Sequence, residues 1–217
     1  MTALERKIDN HESAFCFIDA PGGTGKTFLL NLLQAKMLKD NMLPYATAGS
    51  GIAATLLWSG QTVHTGFGLP VNAFSHNTSK ITPKSVRGRT LAIAGAIFID
   101  EISMLKKDQL ELISDLLCDC TGNQEPFGGK LIIASGDFRQ TLPIIKHSSR
   151  SSVVNSVVTN SHLWENCQKF SLKQNMRIQK YVQQCTTNTQ KQVFINMLSG
   201  CYKLVKDLLL TFRKEIL

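Results

Sequence analysis

No stretch of this 217-residue chain approaches eighteen consecutive apolar residues, so a helix that spans a bilayer is not expected. The first dozen residues, Met1 to Glu12, are polar and mixed in charge, and lack the apolar core of a secretory signal. Cysteine is present six times, yet no two cysteines form a CxxC pair. Cys118 and Cys120 make a lone CxC, which on a helix points its thiols to different faces, while Cys16, Cys167, Cys185 and Cys201 stand apart. A zinc site needs four ligands in matching clusters, so metal binding through cysteine is not expected. Reduced thiols in an intracellular protein are the default reading. Internal repeats are also missing. The length supports one substantial core, or one α/β domain with an appendage.

Acidic residues are the scarcer charge: 24 Lys and Arg stand against 16 Asp and Glu, for a formal net charge of +8. A basic balance suits a polyanionic partner such as nucleic acid, although solubility alone is served by the same excess.

What is present alternates between short apolar runs and amphipathic stretches. Phe15 to Asp19 reads as a buried strand ending at glycines. From Lys26 to Lys39 apolar residues recur at helical spacing, and Asn41 and Pro44 close that helix. Tyr45 to Ala48 reads as a strand, Ile52 to Trp58 as a short helix, and Pro70 to Gly88 as a surface loop. Ala94 to Ile99 is a buried strand ending in Asp100-Glu101, Gln109 to Leu117 a helix, and Leu131 to Ala134 a strand leading into Gly136-Asp137. Such alternation predicts an α/β fold with a parallel sheet. Beyond Arg177 the chain turns polar, and then Met197, Cys201, Leu204, Leu208 and Phe212 fall on one helical face.

Chemistry is concentrated at the strand ends. Ala20-Pro21-Gly22-Gly23-Thr24-Gly25-Lys26-Thr27 follows the pattern GxxxxGK[ST] with Ala20 in place of the leading glycine. That pattern wraps phosphates in backbone N–H groups at a helix N-terminus, with the lysine on the β and γ phosphates and the hydroxyl on Mg²⁺. Pro21, Gly22, Gly23, Thr24, Gly25, Lys26 and Thr27 are therefore the expected ATP-binding residues. Asp100 is expected to hold Mg²⁺ together with Thr27, and Glu101 to act as general base toward the attacking water. Gly136-Asp137-Phe138-Arg139-Gln140 follows the next strand, so Gln140 is expected to face the γ-phosphate.

The ordered segments DAPGGTGKT, SGIAATLLWSGQTVHTGF, FIDEISML, PFGGKLIIASGDFRQTLPI and LKQNMRI resemble the PIF (petite integration frequency) DNA helicases of superfamily 1. The variants carried in Helitron-type transposons and insect genomes are the most alike. The resemblance covers about Phe15 to Ile178. It implies a RecA-like P-loop NTPase domain with a parallel sheet flanked by helices. It also implies a motor that uses ATP to move 5′ to 3′ on single-stranded DNA and to open duplex junctions. The family serves genome and telomere maintenance, recombination and repair, which points to the nucleus, with the mitochondrion as an alternative. By the same resemblance Ser50, Gly51, Thr62, His64, Thr65 and Phe67 contact the DNA strand, and Arg177 approaches the γ-phosphate. A structural histidine and a core phenylalanine are the plainer readings of His64 and Phe67.

The pattern also has departures. The Gln-containing motif that reads adenine in the family has no counterpart before the P-loop, and the motif resemblance ceases after Ile178. The expected organisation is an N-terminal segment over 1–13, a RecA-like domain over 14–178 and a short helical tail over 179–217. The leading function is that of an ATP-hydrolysing DNA helicase. The rival is a remnant that binds nucleotide or single-stranded DNA without unwinding, and the oligomeric state stays open.

Overall fold

Strands covered on both faces have to be apolar along their whole length, and that is how the central runs behave. In the computed structural model, which describes residues 3–70, 79–140, 155–177 and 179, six strands form one sheet. They are β1 (Ala14–Asp19), β2 (Pro44–Ala48), β3 (Gln61–Thr62), β4 (Ala96–Asp100), β5 (Leu131–Gly136) and β6 (Gln168–Ser171). Their order is β3-β2-β4-β5-β1-β6 and all their pairings are parallel. The register opposes Asp19 to Gly136 and Ala48 to Asp100, so the central strands finish level at their C-terminal ends. The chain divides into two compact units, Met1–Lys173 and Gln174–Leu217, and the sheet belongs to the first.

Side chains alternate across the sheet with period two. Phe15, Phe17, Ile97, Ile99, Ile132 and Ala134 enter one apolar layer, whereas Cys16, Ile18, Phe98, Leu131 and Ile133 enter the other. Helices α1 (Ala3–Asp9), α2 (Lys26–Lys39) and α3 (Gly51–Leu56) cover the second layer through Leu4, Ile8, Leu30, Leu33, Met37, Ala53 and Ala54. Helices α4 (Val63–Gly66), α5 (Val86–Ile93) and α6 (Lys107–Thr121) cover the first through Val63, Leu91, Leu110, Ile113, Leu116 and Leu117. The expected parallel α/β architecture is the observed one.

Several local expectations shift. The N-terminal segment is a helix, because Leu4 and Ile8, one turn apart, are both buried. The loop expected over Pro70 to Gly88 ends early: Ser85 caps α5 by accepting from the Gly88 amide at 3.1 Å, so Val86 to Gly88 are helical. Residues 71–78 of that loop lie outside the described residues. Helix α6 runs past both expected ends, and the Gln109 side chain accepts from the Lys106 amide at 3.0 Å at its start. Helix α3 starts and stops earlier than expected because Leu57 turns extended. Strands β3 and β6 carry no apolar run, since each closes an edge of the sheet. The stripe from Met197 to Phe212 also lies outside the described residues.

The PFGGK segment has a structural function at the N-terminal edge of β5. Phe127 and Gly128 are left-handed, at φ 57° and 63°, and a Cβ on Gly128 would come within 2.5 Å of the Leu117 carbonyl oxygen. The Phe127 amide donates to Ser114 Oγ at 2.9 Å, and its ring meets Phe15 at 5.1 Å. Lys130 Nζ donates to the carbonyls of Ala92 and, at 2.8 Å, Ala94, where α5 ends; burial holds its pKa below the usual lysine value. A cation on these terminal carbonyls complements the helix dipole. Phe15 and Phe17 of β1 pack on Trp164, and Phe17 and Trp164 on Phe138, with centroids 5.1 to 5.6 Å apart. That cluster joins the sheet to the turn that follows β5.

Docking of α1 is tested by Ile8→Ala. Loss of this buried side chain should cost about 2–5 kcal/mol in urea unfolding. An exposed N-terminal segment would change stability by no more than about 0.5 kcal/mol.

Candidate nucleotide site and strand-contact surface

In an open parallel sheet, ligands are met where the strands end. Strand β1 ends at Asp19 and hands over to the P-loop, whose last glycine, Gly25, is the N-cap of α2 at φ 87°. Gly23 is left-handed too, at φ 84°, a conformation that a side chain would strain. Thr24 is buried, and its hydroxyl donates to the Pro21 carbonyl at 2.7 Å, bracing the loop from within. Ala20 is fully buried, with its amide donating to the Gly136 carbonyl at 3.2 Å. Its methyl lies in the core and its backbone is not left-handed, so no glycine is required there.

Lys26 and Thr27 open α2 at the level where β4 ends. Lys26 Nζ forms an ion pair with Glu101 Oε1 and lies 3.6 Å from Asp100 Oδ1. Asp100 is 1% exposed, and its Oδ1 also accepts from Ser135 Oγ at 2.6 Å and from the Glu101 amide at 2.9 Å. Burying an isolated carboxylate costs several kcal/mol, which these two donors and the neighbouring ammonium offset. Glu101 itself is left-handed, at φ 53° and ψ 44°, an uncommon conformation for a non-glycine residue. The close approach of Gly49 helps to hold this corner. Its amide donates to the Asp100 carbonyl at 2.8 Å, and a Cβ there would meet the Glu101 carbonyl oxygen at 2.5 Å.

The turn after β5 completes the site. Asp137, 3% exposed, accepts from Arg139 Nε at 2.6 Å and from Gln140 Nε2 at 2.9 Å. Arg139 Nη2 reaches back to Asp19 Oδ1 at 2.8 Å and so clamps the ends of β5 and β1 together. A Cβ on Gly22 would come within 2.9 Å of Gln140 Nε2, which places the Gln140 amide against the P-loop. Lys26, Thr27, Asp100, Glu101 and Gln140 are thus gathered at one edge of the sheet. Sequence reading missed Ser135, Asp137, Arg139, Asp19 and Gly49 as its supports. The one available signal was polarity at the end of an otherwise apolar run, in Ser135-Gly136-Asp137.

Most residues expected to touch a strand lie at the ends of β2 and β3. Ser50 Oγ caps α3 by accepting from the Ala53 amide at 3.1 Å, and Gly51 beside it faces open space. Thr62 caps α4 and donates to Thr65 Oγ1 at 3.0 Å. His64 Nε2 lies 3.2 Å from Gln109 Nε2. Because Gln109 Oε1 already accepts from Lys106, its amide nitrogen donates, and neutral His64 carries its proton on Nδ1. Phe67 corrects its expectation. It is fully buried, 5.8 Å from the Tyr45 ring, and is a core residue with no face left for a base. Arg177 is exposed and lies in the second unit.

Cys16, Cys118, Cys120 and Cys167 are free thiols. Burial pushes Cys16 up to about 11 and Cys167 up to about 12, so neither is a thiolate at neutral pH. Among the described residues no helix is long and apolar enough to cross a membrane.

A parallel sheet whose first strand feeds a phosphate loop, with an acidic pair at the end of β4 and a glutamine after β5, defines a RecA-like P-loop nucleotide-binding domain. The chain belongs to the PIF1-like helicase family, whose model matches residues 2–202. That match runs past Ile178, where the motif resemblance stopped. A Psychrobacter protein named ATP-dependent DNA helicase Pif1 is 35% identical over 131 residues, covering 59% of this chain and 20% of the relative. The Trypanosoma brucei protein named ATP-dependent DNA helicase PIF3 is 32% identical over 57% of this chain and 14% of its own length. The chain therefore matches a fifth or less of the length of these relatives. In fold it is similar to the crystal structure of Pif1 helicase from Candida albicans, at a TM-score of 0.66 and 24% identity, over 83% of this chain and 42% of that one. A Bacteroides Pif1 helicase in complex with ADP-AlF3 and ssDNA superposes equally well, at 0.66 and 23% identity, over 88% and 48%.

The reassignment of Phe67 has a direct test. Phe67→Ala should lower unfolding stability by about 3–5 kcal/mol. An unchanged denaturation midpoint would return Phe67 to the surface and to the strand.

Proposed function

We propose that the chain is a motor domain that binds Mg-ATP, hydrolyses it and couples the reaction to a single strand of DNA, as part of helicase action in the 5′ to 3′ sense. The observation that carries this reading is the meeting of Lys26 with Asp100 and Glu101, beside a P-loop touched by Gln140. A phosphate chain laid along the loop would meet the N-terminus of α2 and the Lys26 ammonium. Phosphate oxygens would then replace the carboxylates as partners of Lys26. Glu101, freed from the lysine, would accept a proton from water, and Gln140 would orient that water on the γ-phosphate. The Thr27 hydroxyl and the Asp100 carboxylate are hard oxygen donors, the kind that suits Mg²⁺ shared with phosphates. Bound there, Mg²⁺ would neutralise charge on the β and γ oxygens. Arg177 is assigned to the γ-phosphate on resemblance alone.

The strand would lie over the ends of β2 and β3, across Ser50, Gly51, Thr62, His64 and Thr65. A module that binds nucleotide without turning it over is the weaker reading, because Lys26, Asp100 and Glu101 lie together at the strand ends with Gln140 against the P-loop. By the same resemblance the reading points to the nucleus, with the mitochondrion as the alternative.

Two variants separate binding from chemistry. Lys26→Ala removes charge-assisted bonds to phosphate and should weaken Mg-ATP binding by about 10- to 100-fold in calorimetry. Glu101→Gln should bind Mg-ATP at least as well as the parent, having lost a negative charge near the phosphates. Its turnover should nevertheless fall by about 10²- to 10⁴-fold. Equal loss of binding in both would refute the separate roles.

Strand separation by the 217-residue chain expressed alone is a further test. Opening and closing of two domains around ATP is what turns hydrolysis into movement, and the described sheet is one such domain. We expect slow turnover and no unwinding of a 5′-tailed duplex. Robust unwinding would show that another segment, or a second copy, supplies the moving partner.

A further inference from the structure

Between Asp40 and Asp100 the chain carries no acidic residue, while Lys80, Lys84, Arg87 and Arg89 fall in this interval. All four are exposed, and among the described residues none forms an ion pair. Elsewhere the surface does pair its charges, as in Lys36 with Asp9 and Asp40, Lys7 with Glu12, and Arg139 with Asp19 and Asp137. The contrast matters because a net charge of +8 can be spread evenly or concentrated.

Two of these cations, Lys80 and Arg87, flank α4. Arg87 Nη1 donates to the Thr65 carbonyl at 3.1 Å, and its charge acts on the Tyr45 hydroxyl, which itself donates to the Gly66 carbonyl at 2.6 Å. The Lys80 amide donates to the Gly68 carbonyl at 3.1 Å, just past the other end of α4. Ser79 Oγ donates to the Phe67 carbonyl at 2.7 Å and accepts from the Ile81 amide at 3.0 Å, fixing the chain around Lys80. Lys84 immediately precedes Ser85, the N-cap of α5, on the segment that joins Lys80 to Arg87. Of the acidic residues of α6, which packs on α5, Glu111 is engaged by Ser161 Oγ at 2.8 Å, and among the described residues neither it nor Asp108, Asp115 and Asp119 forms an ion pair with this group.

We propose that Lys80, Lys84 and Arg87 form a phosphate-binding shoulder that continues the path of the single strand beyond Thr62, His64 and Thr65. This rests on the strand-contact reading above and adds a set of residues to it. The shoulder takes the sugar-phosphate backbone of a single-stranded nucleic acid without reading sequence, because flexible ammonium groups contact phosphate as point charges.

The test is the binding of fluorescent oligodeoxythymidylate to the 217-residue chain, by anisotropy, from about 50 to 200 mM salt. Each phosphate contact on a single strand contributes about 0.7 to the slope of log K against log salt. Lys80→Ala/Lys84→Ala should therefore flatten the slope by about 1.4, and adding Arg87→Ala by about 0.7 more. Arg6→Ala/Lys39→Ala, which removes two exposed charges elsewhere, should leave the slope within about 0.3 of the parent, with melting curves confirming that every variant is folded. An unchanged slope in the shoulder variants, or an equal drop in the Arg6/Lys39 control, overturns the shoulder while leaving the strand-contact reading intact. No binding by the parent at the lowest salt overturns that reading, and the shoulder with it.

Discussion

A lysine at the start of one helix has to meet two adjacent carboxylates, the farther of them 75 positions away in sequence, and much of this fold serves that meeting. Asp100 is nearly without solvent, so its charge is tolerable only where a hydroxyl, an amide and an ammonium converge on it. Ser135 comes from β5, the Glu101 amide from the left-handed corner after β4, and Lys26 from the helix that follows β1. Three neighbouring elements are thus held in register by one buried charge. The same constraint poises the site, because an ammonium shared between two carboxylates is close to what a phosphate chain would recruit.

Stability and chemistry occupy opposite edges of the sheet. At the N-terminal edge, the left-handed turn around Phe127, the Lys130 cap on α5 and the buried Phe15 ring join strands and helices where no reacting group is needed. At the C-terminal edge, left-handed backbone recurs at Gly23, Gly25 and Glu101, where it aims groups at a shared crevice. The Trp164 cluster links the edges, since Phe15 and Phe17 touch it from β1 and Phe138 from the turn that carries Gln140. Disturbance of the packing below should therefore reach the glutamine above through rigid rings.

The surface beside the site follows a different logic. Around α4, backbone carbonyls are already satisfied by Tyr45, Arg87 and Ser79, and the cations Lys80 and Arg87 beside it form no ion pair among the described residues. Unpaired cations repel one another and are retained at a cost in stability. A polyanion lying across them would turn that cost into binding, with the steep salt dependence that counterion release imposes. Family membership and the candidate nucleotide site concern the strand ends, whereas the proposed grip on a strand would depend on this flank.

Local pattern was enough for the P-loop, the acidic pair, the central apolar strands and helix α2, whose ends at Lys26 and Lys39 agree with those read from periodicity. Each of these rests on neighbours in the chain: glycines for a tight turn, an apolar run for a doubly covered strand, a 3.6-residue repeat for a helix. Edge strands β3 and β6 escaped, because a strand with one neighbour is not obliged to be apolar. Helix α1 escaped because two buried residues in a polar stretch make too faint a pattern. The fate of Phe67 and His64 was open in the sequence, since an aromatic ring serves a core or a strand equally well. Packing against Tyr45 decided it for Phe67, whereas His64, beside Gln109, stays on the proposed path of the strand. The same holds for Ser135, Arg139 and Gly49, which gain their roles from groups distant in sequence. By itself the sequence determined which chemistry the strand ends could carry, because those residue types sit next to one another along the chain. Only tertiary structure decided which side chains hold that chemistry in place, because burial and through-space partners exist only once the strands have been laid side by side.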